Sequence, residues 1–144
     1  MRAFLDANVL FSAARDAEGW ASALLVLAQT GRVEVLTSAH ALVEARRNLA
    51  LKNPDRVPRL DQLMARIELV GEAPPSLVEW AQSLPLPAGD APILAAASHA
   101  GADLLVTGDR THFGALFGET LRGAEVVLPV TALARLLSLA GKGG

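Results

Sequence analysis

The opening segment RAFLDA (2–7) constrains the fold more than any other stretch of the chain. Its apolar residues do not alternate with polar ones, so it reads as a β-strand covered on both faces. Strands of this kind belong to parallel sheets, whose neighbouring strands are joined by helical crossovers. The rest of the chain keeps that rhythm. Helices are expected over 8–15 and 20–30, with Gly31 as a left-handed cap on the second. A strand over 33–36 follows, and Thr37 or Ser38 caps a helix reaching Lys52. Asn53-Pro54 breaks the chain before a helix over 54–67 and a short edge strand at Leu69 and Val70. A helix over 75–84 and a stiff loop over 85–89 lead to Asp90, which opens a helix ended by Gly101. Strands over 103–107 and 124–128 and a helix over 129–139 complete the pattern. The expected architecture is α/β with a mostly parallel sheet. One domain over 1–140 accounts for it, with a frayed glycine-rich tail over 141–144.

In open parallel sheets, ligands bind beyond the carboxyl ends of the strands. Asp6 stands at that end of the first strand, and Asp109 lies just past the strand containing Leu104, Leu105 and Val106. Asp90 opens a helix that packs back from the same edge. Three carboxylates from distant parts of the chain are thus expected to converge, and such crowding calls for cations. Oxygen-only donors suit hard ions such as Mg2+ or Mn2+. Each acid also has a plainer role open to it: Asp90 as a helix cap, Asp109 as a turn residue, and Glu44 as a surface partner of Arg47. Asp103 begins its strand and therefore belongs to the opposite edge.

Composition narrows the function. The chain has no cysteine, which excludes thiolate metal sites and cysteine nucleophiles and agrees with a reducing, cytoplasmic setting. No apolar run approaches the length of a membrane span, and the segment around Asp6 is too interrupted for a secretory leader. A net charge of −2 gives no broad basic surface, although assigning four carboxylates to bound cations leaves the remaining chain positive. With 51% hydrophobic and only 19% charged residues, some apolar surface is expected in an interface, and a homodimer is the commonest solution.

FLDANVLFSA, the mid-chain Glu44, GDAPILAAA and LLVTGDRTHF come in the order and spacing of the PIN domain. Across essentially the whole chain the sequence resembles the toxin nucleases of bacterial and archaeal toxin–antitoxin pairs. The resemblance implies a three-layer sandwich, with a central, mostly parallel sheet flanked by helices, and a metal-dependent endoribonuclease acting on RNA and blocked by a cognate antitoxin. It places the four acidic ligands on Asp6, Glu44, Asp90 and Asp109, with Asn8 and Thr107 as supporting polar residues. Arg15, Arg46, Arg47 and Arg110 are candidate RNA contacts, and His40, His99 and His112 read as structural. A housekeeping RNA-processing nuclease and a non-catalytic scaffold are the alternatives within this resemblance. Aspartyl-phosphate chemistry fits poorly: Asn8 stands where the phosphatase pattern has a second Asp, and Lys52 and Lys142 are not at strand ends.

Overall fold

The computed structural model describes residues 1–142, and among these the chain forms six strands in one sheet. The strands are β1 (Arg2–Leu5), β2 (Glu34–Ser38), β3 (Glu68–Val70), β4 (Leu104–Val106), β5 (Thr120–Leu121) and β6 (Ala124–Val127). Their order across the sheet is β3-β2-β1-β4-β6-β5. All pairings are parallel except β5 with β6. The opening strand is as dry as its sequence requires, with Phe4 and Leu5 fully buried.

Sequential crossovers run outward from β1 to β3, through α1 (Ala7–Arg15), α2 (Trp20–Ala28), α3 (Ala39–Lys52) and α4 (Val57–Leu63). The next crossover, through α5 (Pro75–Gln82) and α6 (Ala91–His99), returns past β1 to β4. Right-handed connections place helices on opposite faces when the direction reverses, which produces the expected three layers. A short α7 (Arg110–Phe113) follows β4, and α8 (Pro129–Lys142) packs against α2. The reversal makes the carboxyl ends of β1 and β4 a topological switch point, the place where ligands enter such sheets.

Most of the expected elements form where the sequence puts them. The helix expected over 54–67 is instead α4 bracketed by two 3-10 turns, and α8 runs to Lys142 rather than stopping at Leu139. The tail expected over 141–144 therefore begins inside a helix, and its residues 143–144 lie outside the described ones. The hairpin of β5 and β6 was not anticipated. Its turn puts Arg122 at φ +47° and Gly123 at φ +94°, and the Arg122 guanidinium lies 4.6 Å from the Trp80 ring centroid. That stacking over α5 contributes to holding the left-handed arginine.

Among the described residues, no helix is long and apolar enough to cross a membrane. The hydrophobic surplus mostly fills one continuous core. A remainder is exposed, including Trp20 and Val26 on α2 and Val130 and Leu137 on α8.

Gly101 follows the last turn of α6 at φ +73°, with open space where a Cβ would stand. Substitution there meets backbone strain without a clash. Gly101→Ala is expected to cost about 1 kcal/mol, and Gly101→Asn less, because asparagine tolerates the left-handed region. Urea unfolding midpoints of the two variants test this, and equal losses would contradict it.

Candidate active site

Asp6 is the most constrained acid. It follows β1 directly, its backbone N–H donates to the Val106 carbonyl at 3.0 Å, and it caps the N-terminus of α1. Only 3% of it is exposed. Its Oδ1 accepts the Ala7 N–H at 2.7 Å, and its Oδ2 accepts from Thr107 Oγ1 at 2.8 Å and Asn8 Nδ2 at 3.0 Å. Asn8 also donates to Thr107 Oγ1 at 3.1 Å and accepts the Gly108 N–H at 2.7 Å. Thr107 Oγ1 in turn accepts the Asp109 N–H at 3.2 Å. Asn8 and Thr107 thus both hydrogen-bond to the Asp6 carboxylate. They stitch the end of β1 to the loop after β4. A Cβ on Gly108 would stand 3.4 Å from the Asn8 oxygen, in ordinary van der Waals contact, so it is the backbone N–H of this residue that the network uses.

The other three acids face the same pocket, whose volume is about 240 Å3 and whose lining includes Asp6, Glu44, Asp90 and Asp109. Asp90 stands at the N-cap position of α6 but makes no side-chain capping bond, so the plain capping role does not hold its carboxylate. Asp109 does cap, accepting the His112 N–H with Oδ1 at 2.9 Å, and its Oδ2 remains turned to the site. Glu44 lies on the face of α3 toward the pocket, and among the described residues it forms no ion pair with Arg47.

Electrostatics reflect the crowding. Burial pushes the Asp6 carboxyl up to about 6, opposed by its Thr107 and Ala7 hydrogen bonds and reinforced by the charges of Asp90 and Glu44. Asp90 is raised first by burial, with His112 pulling it down and Asp109 and Glu44 pushing it up. His112, read from the sequence as structural, lies inside this cluster: its Nδ1 is 3.0 Å from Asp90 Oδ2 and 2.9 Å from Asp109 Oδ2. The i, i+3 spacing from Asp109 was the available sequence signal. His40 borders a wider adjoining groove, with its backbone N–H bound to Glu72 Oε1 at 3.0 Å, and His99 does not line the site.

Among the described residues, no three carboxylate or imidazole groups are already gathered as a ready-made metal site. The donor chemistry nonetheless fits a hard dication. Four carboxylates repel one another across one pocket, and His112 supplies the donor that lies between two of them.

The candidate RNA-contacting arginines divide. Arg47 borders the adjoining groove, and the Arg15 guanidinium sits 5.2 Å from the Phe11 ring beside the pocket. Arg46 is instead tied to Asp61 at 2.6 Å, and Arg110 lines a separate groove with Arg135. Sequence reasoning missed Lys52, which lines the pocket although it follows no strand, because α3 carries it along the pocket wall. Asp103 sits at the opposite edge as expected, accepting the Arg2 N–H at 2.8 Å.

Comparison with known proteins agrees with this geometry. The family model described as PIN domain matches residues 2–111. The chain belongs to the PIN-domain family. Among solved structures, it resembles VapBC2 from Rickettsia felis bound to a promoter DNA fragment, at 16% identity and a TM-score of 0.66, covering 89% of this chain and 98% of that one. A toxin–antitoxin complex from Klebsiella pneumoniae aligns at 19% identity and a TM-score of 0.62, covering 88% and 97%. VapC20 from Mycobacterium tuberculosis, described as a sarcin–ricin loop cleaving toxin, aligns at 15% identity and a TM-score of 0.57, covering 78% and 94%. At these identities the likeness establishes the fold. Among curated proteins compared by sequence, none matches significantly.

The raised Asp6 carboxyl links stability to pH. Its folded value of about 6 lies above its ordinary 3.8, so the folded state binds a proton more tightly than the unfolded one. That contribution favours folding below the ordinary value and is lost as pH rises through about 6. The shift corresponds to roughly 3 kcal/mol. In metal-free protein, the stability of Asp6→Asn relative to wild type should therefore rise between pH 4 and pH 7.5, by up to that amount. Asparagine cannot accept hydrogen bonds with both terminal atoms, which lowers the variant's stability by a similar amount at every pH and leaves the rise intact. Parallel urea titrations of both proteins across this range test the linkage, and a difference that stays constant with pH would contradict it.

Proposed function

We propose that the chain is a metal-dependent endoribonuclease that hydrolyses RNA phosphodiester bonds, and that it is the toxin of a toxin–antitoxin pair working in the cytoplasm. The observation that carries this reading is the meeting of Asp6, Glu44, Asp90 and Asp109, from four elements, on one pocket at the switch point of the sheet. Asp6, Glu44, Asp90 and Asp109 would hold Mg2+ or Mn2+, which supplies an activated water and neutralises charge on the phosphate. Asp6 is the fixed member, because Thr107, Asn8 and Ala7 hold both its oxygens. Asp90 and Asp109 are more open and can turn their oxygens toward a cation as His112 gives way.

The structural likeness to a toxin–antitoxin complex and to a loop-cleaving toxin supports the biological assignment, including a protein antitoxin as partner. The apolar side chains exposed on α2 and α8 support a homodimer. Light scattering at micromolar concentration is expected to give twice the 15.0 kDa chain mass, and a mass of one chain would oppose the dimer.

Cleavage of a fluorescent RNA should stop in excess EDTA and return with Mn2+. Glu44→Gln should weaken calorimetric Mn2+ binding and lower the cleavage rate at saturating metal, each by at least about tenfold. EDTA-resistant cleavage would overturn the metal mechanism. Equal affinity and rate in Glu44→Gln would remove Glu44 and leave three aspartates.

A further inference from the structure

The pocket that holds the acids does not end with them. Glu44, Asn48 and Lys52 recur every fourth residue on α3, so they form one stripe along the helix. At a rise of about 1.5 Å per residue, Lys52 lies roughly 12 Å along the axis from Glu44. The facing wall is α1, which packs against α3 and presents Asn8, then Phe11, then Arg15 one turn further. Along this groove the character changes from carboxylate, through amide and aromatic ring, to cation.

The outer cations meet the ring and no carboxylate. Lys52 Nζ is 5.7 Å and the Arg15 guanidinium 5.2 Å from the Phe11 centroid, and among the described residues neither cation is in an ion pair. The Asn48 side chain, half-buried in the wall, has no hydrogen-bond partner among the described residues. Two cations brought to one ring without a carboxylate between them suit a phosphate. An unsatisfied amide beside an aromatic suits the exposed edge of a base. A base can reach the ring and the amide together only when it is unpaired.

We infer that the α1–α3 groove is a subsite for the unpaired nucleotide flanking the scissile bond, with its base against Phe11 and Asn48 and its phosphate on Lys52 and Arg15. The inference rests on the nuclease reading and adds to it the residues that hold the substrate beside the acids and a direction for the strand. Asn48 and Lys52 are positioning residues: they hold the substrate and take no part in bond breaking.

The test uses the full chain carrying Asp6→Asn, which keeps RNA uncut, with Mg2+ and a fluorescent single-stranded oligoribonucleotide followed by anisotropy. Adding Lys52→Ala or Asn48→Ala should weaken binding by about tenfold. Lys52→Ala should also flatten the dependence of log affinity on log salt by about 0.7, the loss of one single-strand phosphate contact. Lys52→Arg should restore both. Arg66→Ala removes a cation near the amino ends of β2 and β3 and should leave binding unchanged. In the cleaving enzyme, Lys52→Ala should raise KM and spare kcat. Unchanged affinity in the groove variants, equal loss in Arg66→Ala, or equal affinity for duplex RNA would overturn the subsite while cleavage by wild type still upheld the nuclease. Absence of both binding and cleavage by wild type would overturn the nuclease reading itself.

Discussion

A buried carboxylate at the switch point of a parallel sheet is the constraint around which the molecule is arranged. Desolvation opposes a charge there, and two neighbouring acids oppose it further. Asp6 is retained because donors from both sides of the switch point converge on it: Ala7 and Asn8 after β1, and Thr107 after β4. The same bonds fasten the two central strands where their crossovers reverse direction. The placement of Asp6 and the closure of the sheet are therefore one network, in which Asn8 and the Gly108 N–H both take part. The remaining acids depend on this fixed point, because their helices and loops leave the sheet around it.

Much of this was legible in the sequence. Continuous apolar strands ending in an acid read directly, because a carboxylate among residues such as Phe4 and Leu5 has few structural explanations. Gly101 marked a helix end directly, at φ +73°, while Gly31, at φ +82°, lies two residues past the Gln29 cap of α2. What failed were features whose meaning depends on a partner remote in sequence. His112 gains its place from Asp90 as well as from nearby Asp109. Arg46 is diverted by Asp61 on the next helix, and Arg110 points into another groove. Lys52 was judged by its distance from a strand end, although a helix can carry a residue back along a pocket wall. The β5 strand is two residues long, and Arg122 rather than glycine begins its left-handed turn. Neither gives a periodic signal.

The surface shows a comparable division of labour. The amino edge of the sheet is closed by the Arg2 guanidinium, paired with Glu34 and Glu68, and by its backbone bond to Asp103. These pairs are exposed and contribute little individually. At the carboxyl edge four carboxylates share one pocket with His112 and Lys52. That edge holds a charge imbalance, which suits the binding of cations.

The helix α6 turns side-chain size into a gauge for this imbalance. Ala91, Ala95, Ala96 and Ala97 are wholly buried, as are Ile93 and Leu94 between them, so the helix is enclosed nearly all round. The spacing between packed elements follows the bulk of the side chains at their contacts, and methyl groups allow the closest approach. Asp90 stands at the end of this helix, so its depth in the pocket is set by the thickness of the alanines behind it. They act as shims: a single added methyl group, far from any carboxylate, alters the gap between the acids that the proposed cation would fill.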